Sequence, residues 1–441
     1  MIHFVSAGLL QPKKKDNPVN RLNRYLNYGM LGLASMVSTT KNEVMVHHGS
    51  YRSPSSVLTE LGSIGESTIY LSLPSLYAIP WAQIFVSKLK QQEPGTKVVC
   101  GGRWVVDHHE AWIRSRVGAD VVVTGFGEKY IARVFGLQYN TQVYPPLNYA
   151  LMPDYLEYPP SIETSRGCGR GCSFCVEQAA PWWGMRNPNE VVSQLTEVEL
   201  LYGPVKVRPF LEASLFQPDN LWISDFLKAR QVHKQTVQWR TETRVDVLNT
   251  KQLETLACAG LKVLDLGLES ASSTQLLKMN KTRRPDIYLH RASNTLQACY
   301  DLGIWPKLNI VLYAGENNST LRETIDWLNQ YASLIKGISI NPVIYYPESF
   351  ESNLPAQLVN LGATLTDHRQ LKESGFANIN LSNSLSYEKA LDICLQISRQ
   401  IMTARDFYDL KMFGYFSPTL TLNEFMTATN QSDQKSLPFK V

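Results

Sequence analysis

The chain has 441 residues, of which 44% are hydrophobic and 19% are charged. This composition is typical of a globular protein, and the length allows two or three domains with sizeable cores. The net charge of +4 is too small to indicate nucleic acid or an anionic membrane as a partner. No segment approaches the run of ~20 apolar residues that a membrane span needs, so we expect a cytoplasmic protein.

The first 140 residues alternate short apolar segments with helical ones. The predicted strands are His3–Ala7, Val44–His47, Thr68–Leu73, Lys97–Cys100 and Val121–Thr124. This alternation predicts a parallel sheet with helices on both faces. Glycines follow two of the strands, as Gly101-Gly102 and Gly125-Phe126-Gly127. Ligands of doubly wound folds bind at this edge of the sheet, so the glycines indicate a binding site.

A second alternation of strands and helices begins after a proline-rich stretch that ends at Pro160. Its predicted strands are Ser161–Ser165, Lys206–Glu212, Thr236–Thr241, Val263–Leu268, Pro306–Tyr313 and Gly337–Val343. Six such units predict a partial parallel (β/α)6 barrel. The last ~90 residues are expected to be mostly helical, with Ser384–Arg405 as the clearest helix. We therefore predict an α/β protein with domains at 1–140, 141–350 and 351–441.

Three of the seven cysteines, Cys168, Cys172 and Cys175, fall within eight residues. An odd cysteine count in a long chain disfavours a disulfide scaffold. Three thiolates on one loop can ligate three irons of a cubane cluster and leave the fourth iron without a protein ligand. The loop's glycines allow it to curl, and Arg166 and Arg170 are expected to favour thiolates. Structural zinc needs four ligands and no fourth Cys or His lies nearby, so zinc is the weaker alternative, followed by thiols without a metal.

The loop Cys168–Cys175 resembles the signature of the radical S-adenosylmethionine superfamily, Cys-x-x-x-Cys-x-x-Cys with an aromatic residue, here Phe174, before the last cysteine. The resemblance implies that the three cysteines hold a catalytic 4Fe-4S cluster, and that Phe174 lies against the bound cofactor. The open iron of such a cluster chelates the amine and carboxylate of S-adenosylmethionine. One electron then cleaves the sulfonium to a 5′-deoxyadenosyl radical, which implies a flavodoxin-like or ferredoxin-like electron donor as a partner.

Three later strand ends carry further positions of the same family pattern. The resemblance implies that Glu212 binds the methionine amine, although the family's usual Gly-Gly-Glu is absent. It also implies that Arg244 faces the methionine carboxylate and that Glu269, in a Gly-x-Glu-Ser motif, binds the ribose hydroxyls. The alternative is that all three are paired polar groups at strand ends. Lys281, which follows in the family's Leu-x-x-x-x-Lys, is expected to be a solvated charge at a helix end.

Residues 1–136 resemble the Rossmann-like cobalamin-binding domain that precedes many radical S-adenosylmethionine enzymes. The stretches that match are Tyr70–Ser75, Val99–Gly102 and Asp120–Glu128. The resemblance implies that the backbone of Gly101, Gly102, Gly125 and Gly127 lies beneath a corrin and that Ser72 bonds its nucleotide tail. No Asp-x-His-x-x-Gly occurs, so no histidine is offered as a lower cobalt ligand. The alternative is a scaffold domain without the corrin.

The leading hypothesis is a cobalamin-dependent radical enzyme that methylates an unactivated carbon of a small molecule in specialised metabolism. A second hypothesis keeps the radical without methyl transfer: a dehydration, deoxygenation, epimerisation or rearrangement beside a vestigial cobalamin-type domain. A third is a non-catalytic iron–sulfur or corrin-binding protein, which the combination of the cysteine motif with Glu212, Arg244 and Glu269 disfavours. The C-terminal helical region is expected to cap the barrel and to select the substrate.

Overall fold

The computed structural model describes residues 1–11, 18–140, 144–177, 180–203, 205, 207–347, 353–429 and 437. Contacts divide the chain into two compact units, and the first of them extends from Met1 to Tyr158 and adds Pro347 and Leu371–Gly375. This unit continues past the boundary predicted at residue 140. The reason is local bonding, because the backbone N–H of Asn148 donates to Ser35 and the Tyr158 hydroxyl bonds Ser50.

The first unit contains a five-stranded parallel sheet in the order β2-β1-β3-β4-β5. Its strands are β1 (Ile2–Ser6), β2 (Val44–His48), β3 (Thr68–Ser72), β4 (Lys97–Gly101) and β5 (Val121–Val122). Its α-helices are α1 (Tyr28–Ser38), α2 (Pro54–Leu61), α3 (Ile79–Gln92), α4 (Glu110–Val117) and α5 (Gly127–Phe135). Consecutive strand residues such as Phe4 and Val5 are buried, as expected for a sheet covered on both faces. The Rossmann-like prediction is confirmed.

The second unit contains a six-stranded parallel sheet in which the strands follow the order of the chain. The strands are β6 (Ser161–Ser165), β7 (Phe210–Ala213), β8 (Trp239–Arg244), β9 (Leu261–Glu269), β10 (Trp305–Leu312) and β11 (Gly337–Pro342). The helices between them are α6 (Pro188–Tyr202), α7 (Asn220–Val232), α8 (Thr250–Cys258), α9 (Ser273–Lys278), α10 (Pro285–Asp301) and α11 (Asn318–Gln330). This is the predicted partial (β/α)6 barrel, with β6 and β11 at its two ends.

The C-terminal region is mostly helical, as predicted. It contains β12 (Ile344–Tyr345), α12 (Ala356–Asn360), β13 (Thr364–Leu365), α13 (His368–Ser374), β14 (Ala377–Asn380), α14 (Tyr387–Ile401), α15 (Ala404–Lys411) and α16 (Leu422–Ala428). The helix predicted over Ser384–Arg405 is two helices, because Thr403 caps the N-terminus of α15. The sequence did not predict the antiparallel sheet β12-β14-β13, whose strands are too short to show an alternating pattern. None of the described helices has the length and apolar character needed to cross a membrane.

A buried cluster of three charges joins the barrel strands to the C-terminal helices. On β8, Trp239 packs against Phe226 of α7, so Arg240 projects from the opposite face. Arg240 makes two bonds to Asp265 of β9, at 2.5 and 2.8 Å, and Lys307 of β10 lies 3.0 Å from the same carboxylate. Arg240 also donates to the carbonyl oxygen of Leu410 in α15, at 2.7 Å. Paired charges therefore fill the interior of the barrel at the level of Arg240.

We predict that Asp265→Ala strongly destabilises the protein. The change leaves the buried Arg240 and the partly buried Lys307 without their carboxylate, and breaking a buried pair such as Arg240–Asp265 costs about 3–5 kcal/mol. Thermal unfolding measures the loss. Asp225→Ala is the matched control, because its partner Lys228 is exposed and such pairs contribute about 0–1 kcal/mol. Equal losses in the two variants would contradict this account of the cluster.

Candidate functional site

The cysteine loop leaves the carboxyl end of β6 in an unusual backbone conformation. Gly167, Gly169 and Gly171 have φ angles of +69°, +68° and +68°, in the left-handed region that favours glycine. A Cβ atom on Gly167 would lie 1.8 Å from the carbonyl oxygen of Pro181, so no other residue fits there. Cys172 is buried, and Cys168 and Cys175 are half-buried. The glycines thus bring three thiols onto one curled loop.

The residues that follow α9 hold this loop in place. The backbone N–H of Ser173 donates to the carbonyl oxygen of Met279 at 2.9 Å, and the side chain of Asn280 donates to that of Gly171 at 2.8 Å. Lys281 lies with its ammonium 5.9 Å from the centre of the Phe174 ring. The cysteine loop is therefore fixed by the segment that connects α9 to α10.

The pKa values of the cysteine thiols agree only in part with the expectation that nearby arginines favour thiolates. Burial raises the pKa of the Cys168 and Cys175 thiols, although the charges of Lys281 and Arg170 act to lower the pKa of Cys168. Arg166, directly after β6, makes two 2.7 Å hydrogen bonds to Glu163 of that strand. A bound metal deprotonates its thiol ligands, so it would supply the charge that the loop lacks.

Arg244, at the end of β8, lies against the cysteine loop. Its Nη1 atom is 3.8 Å from the Cys172 sulfur, and its Nε and Nη2 atoms bond the two oxygens of Asp246 at 2.8 and 3.0 Å. Nη2 also donates to the carbonyl oxygen of Lys281 at 2.8 Å. Asp246 raises the pKa of Arg244 against the opposing effect of burial. Arg244 is thus a fixed cation beside the most buried of the three cysteines.

Glu269 and Lys281 form a buried ion pair at the end of β9. The Lys281 ammonium is 3.0 Å from Glu269 Oε1, and the two side chains are 5% and 9% exposed. The expectation that Lys281 is solvated is wrong, because the segment after α9 turns inward toward the strand ends. Glu269 has a φ of +67°, a conformation that costs a non-glycine residue of order 1–3 kcal/mol and that clusters at functional sites.

Glu212 lies on β7, the strand next to β6. It pairs in register with Glu163 of β6 and accepts a 2.8 Å hydrogen bond from Ser161. The structure thus brings Arg244 and Glu269 to the cysteine loop through Cys172 and Lys281. Glu212 lies on β7, and the cysteine loop follows the neighbouring strand β6.

The glycines of the first unit fall into two groups. Gly102 has a φ of +126°, and a Cβ atom there would lie 2.6 Å from the backbone oxygen of Leu73. A Cβ atom on Gly127, the first residue of α5, would lie 2.7 Å from Leu33 of α1. Packing against backbone therefore requires a glycine at position 102, whereas a side chain at position 127 would only displace the end of the Leu33 side chain. Gly101 has ordinary contacts, whereas Gly125 has a φ of +71° and open space on its Cβ side.

A polar cluster at the carboxyl ends of β1, β2 and β3 was missed by the sequence analysis. The amide of Asn27, which caps α1, donates to the hydroxyls of Ser6 and Ser72, at 3.0 Å each. The backbone N–H of Asn27 donates to His48 Nε2 at 3.1 Å, and burial lowers the pKa of His48 to about 3. An asparagine is a preferred residue at the N-terminal cap of a helix, so Asn27 was the available signal.

Glu316 is a second group whose state the sequence did not indicate. It follows β10, is 1% exposed and accepts a hydrogen bond from the Thr320 hydroxyl at 2.5 Å. Burial raises its pKa to about 7. The carboxyl group therefore takes up a proton within the physiological pH range.

The family comparison decides the class of the protein. The sequence profile of the Radical SAM superfamily matches residues 162–328, from β6 to α11. Residues 162–328 therefore form a radical S-adenosylmethionine domain. Its cofactors are therefore a 4Fe-4S cluster and S-adenosylmethionine. The matched range includes the cysteine loop, Arg244 and Glu269. No curated protein sequence matches the chain.

Solved structures with 12–14% identity share the fold of this chain across both units. The methyltransferase TsrM from Kitasatospora setae, with cobalamin and a 4Fe-4S cluster bound, has a TM-score of 0.67 at 14% identity, over 90% of each chain. The cobalamin-dependent enzyme OxsB, with aqua-cobalamin and S-adenosylmethionine bound, has a TM-score of 0.60 at 12% identity, over 97% of this chain and 65% of OxsB. This likeness shows that the Rossmann-like unit and the barrel occur together in known enzymes.

We predict that Glu316→Gln removes a pH dependence of stability. The pKa of Glu316 is raised in the folded state, so its stabilising contribution is present below the unfolded pKa of about 4.3 and is lost as the pH rises through about 7. The variant should gain roughly 2–3 kcal/mol relative to the wild type between pH 5 and pH 8, measured by urea unfolding. Glu323→Gln, an exposed change on α11, controls for the loss of one charge. A constant difference between Glu316→Gln and the wild type would contradict the prediction.

Proposed function

We propose that the protein is a cobalamin-dependent radical S-adenosylmethionine methyltransferase that acts on an unactivated carbon of a small molecule. The observation that carries the proposal is the extent of the structural match. The likeness to TsrM covers 90% of both chains, so it includes the Rossmann-like unit as well as the barrel. TsrM is a methyltransferase that has been observed with cobalamin and a 4Fe-4S cluster.

Cys168, Cys172 and Cys175 are the proposed cluster ligands. The donor set fits, because thiolates are the ligands of iron–sulfur clusters and the described residues place three thiols on one glycine-rich loop. When bound, the cluster supplies the electron that cleaves S-adenosylmethionine to a 5′-deoxyadenosyl radical. The role of the protein is to fix the loop, which it does through the hydrogen bonds from Ser173 and Asn280.

The S-adenosylmethionine ligands are proposed from the strand ends. Glu269 uses Oε1 for Lys281, so its Oε2 atom can accept a hydrogen bond from a ribose hydroxyl. Arg244 retains an N–H for the methionine carboxylate, and Glu212 is the proposed partner of the methionine amine. The Phe174 ring, which lies under the Lys281 ammonium, supplies an apolar surface next to the cysteines. These groups would hold the cofactor without moving, because most are already bonded to their neighbours.

Cobalamin binding is proposed for the first unit. The open side of Gly125 allows a flat ring to approach the backbone, and Gly101, Gly102 and Gly127 lie at the same strand ends. Ser72 accepts a hydrogen bond from Asn27, so its own hydroxyl hydrogen can be donated to a nucleotide tail. When bound, cobalamin would supply the methyl group for transfer.

The C-terminal region, residues 351–441, is proposed to select the substrate. An open groove with a volume of about 410 Å³ lies where its residues meet the strand end of β10. The lining includes Lys278, Glu316, Asn317, Asn360, Asn383 and Ser384. The size is within the ~300–1,000 Å³ range of small-molecule pockets, and the amide and hydroxyl groups favour a polar ligand.

The cluster assignment is tested by replacing each cysteine of the motif with alanine. We expect Cys168→Ala, Cys172→Ala and Cys175→Ala each to abolish 5′-deoxyadenosine formation after anaerobic reconstitution, because each removes one of three ligands. Cys258→Ala, at an exposed cysteine in α8, is the control and should keep the iron content of the wild type. If all three variants still cleave S-adenosylmethionine, the ligand assignment is wrong.

The cobalamin assignment is tested with protein produced in the presence of cobalamin. We expect about one corrin per chain with a base-off absorption spectrum, since the sequence offers no histidine motif for the cobalt. Gly125→Asn should expel it, because asparagine tolerates the left-handed backbone but fills the open space. Gly136→Asn is the matched control, at a φ of +65° with similar open space at the end of α5.

The products separate the two radical hypotheses. Methyl transfer makes S-adenosylhomocysteine in addition to 5′-deoxyadenosine, whereas dehydration or rearrangement makes 5′-deoxyadenosine alone. If folded protein with its cluster retains no corrin, the methyltransferase proposal fails and the second hypothesis replaces it.

A further inference from the structure

The guanidinium group of Arg244 is held in a fixed orientation from three directions. Asp246 bonds its Nε and Nη2 atoms, and the carbonyl oxygen of Lys281 accepts from Nη2. The Tyr288 ring lies with its centre 5.5 Å from the guanidinium carbon. Tyr288 is itself fixed, because its hydroxyl donates to the carbonyl oxygen of Gly267 at 2.7 Å. The direction of the remaining N–H bonds of Arg244 is therefore set by the protein before any cofactor binds.

Most of the hydrogen-bond donors of Arg244 are already engaged by neighbouring residues. A guanidinium has five N–H bonds, one on Nε and two on each terminal nitrogen. Asp246 and Lys281 engage the Nε hydrogen and both Nη2 hydrogens in the described structure. Of the two Nη1 hydrogens, one is directed at the Cys172 sulfur, 3.8 Å from Nη1. Arg244 can thus give a carboxylate one hydrogen bond, and it cannot present the two-pronged fork that arginine commonly offers.

We propose that Arg244 is a positioning residue for the iron–sulfur cluster. The hydrogen bond that its Nη1 atom donates to the Cys172 sulfur raises the reduction potential of the cluster. The inference rests on the proposed cluster ligands. A hydrogen bond to a ligating sulfur, and a positive charge beside it, stabilise the more negative reduced cluster over the oxidised one. Cys172 is the sulfur at which this effect is strongest, because it is buried while the other two cysteines are half-buried.

Asp246 gives this arrangement an opposing element. Its carboxylate pairs with Arg244 and cancels part of its charge, while Arg244 in turn holds the pKa of Asp246 below its usual range. Arg244 therefore acts mainly through its hydrogen bond to the Cys172 sulfur. Asp246 orients this hydrogen bond, and its negative charge offsets part of the positive charge of Arg244. Loss of the arginine and loss of the aspartate charge should shift the potential in opposite directions.

The test measures the midpoint potential of the reconstituted cluster, without S-adenosylmethionine, by a redox titration followed with electron paramagnetic resonance. We expect Arg244→Gln to lower the ratio of reduced to oxidised cluster at a fixed potential about tenfold, which is about 59 mV for one electron. Asp246→Asn should change the ratio in the other direction. Arg244→Lys should restore only part of the loss, because an ammonium keeps the charge without the fixed planar fork.

Arg170→Gln is the control, because it removes a positive charge from an exposed position on the same loop. Its shift should be smaller than that of Arg244→Gln, since solvent screens an exposed charge. Equal potentials in the wild type and in Arg244→Gln with full iron content would overturn the proposal, as would shifts of the same sign in Arg244→Gln and Asp246→Asn. If Arg244→Gln does not assemble a cluster, the sign of the Asp246→Asn shift decides. A wild-type protein without a cluster would instead contradict the proposed function.

Discussion

The short segment Lys278–Lys281 connects the parts of the site that lie far apart in the sequence. Its backbone and side chains bond Ser173 and Gly171 of the cysteine loop, Glu269 of β9 and Arg244 of β8. A barrel of parallel strands brings strand ends to one edge but leaves their loops free to adopt many positions. Here one short segment, with Met279 and Lys281 buried, bonds three of them at once. The geometry around the thiols therefore depends on this segment as much as on the cysteines.

The buried pair of Glu269 and Lys281 explains how an unfavourable backbone conformation persists. A left-handed glutamate is strained, and such strain survives only where the surroundings fix it. The ammonium of Lys281 fixes the carboxylate, and the hydrogen bond from Arg244 fixes the backbone of Lys281. The result is a carboxylate held at a strand end with one oxygen already engaged. Such a group is ready to accept a hydroxyl hydrogen without reorganising.

Features of the structure that depend on local sequence patterns were predictable. Features that depend on contacts between segments far apart in the sequence were not. Most strands of the two sheets were found because they contain short apolar runs, and the cysteine loop was found because of its spacing. The burial of Lys281 was missed, since a charge at a helix end looks solvated until the direction of the following segment is known. Gly102 was assigned to a ligand, yet packing against the backbone of Leu73 already requires a glycine there. A glycine after a strand can allow a ligand to approach the backbone, or it can allow a neighbouring strand to pack closely. The sequence pattern is the same in both cases.

The hydrogen bond from Arg240 to Leu410 has a consequence for how the enzyme is made. These residues are separated by 170 positions, and a second bond from Arg240 reaches Phe413. During synthesis the strand that carries Arg240 leaves the ribosome well before these carbonyl groups exist, so its buried cation lacks part of its bonding until the chain is nearly finished. Completion of the barrel interior therefore waits for α15.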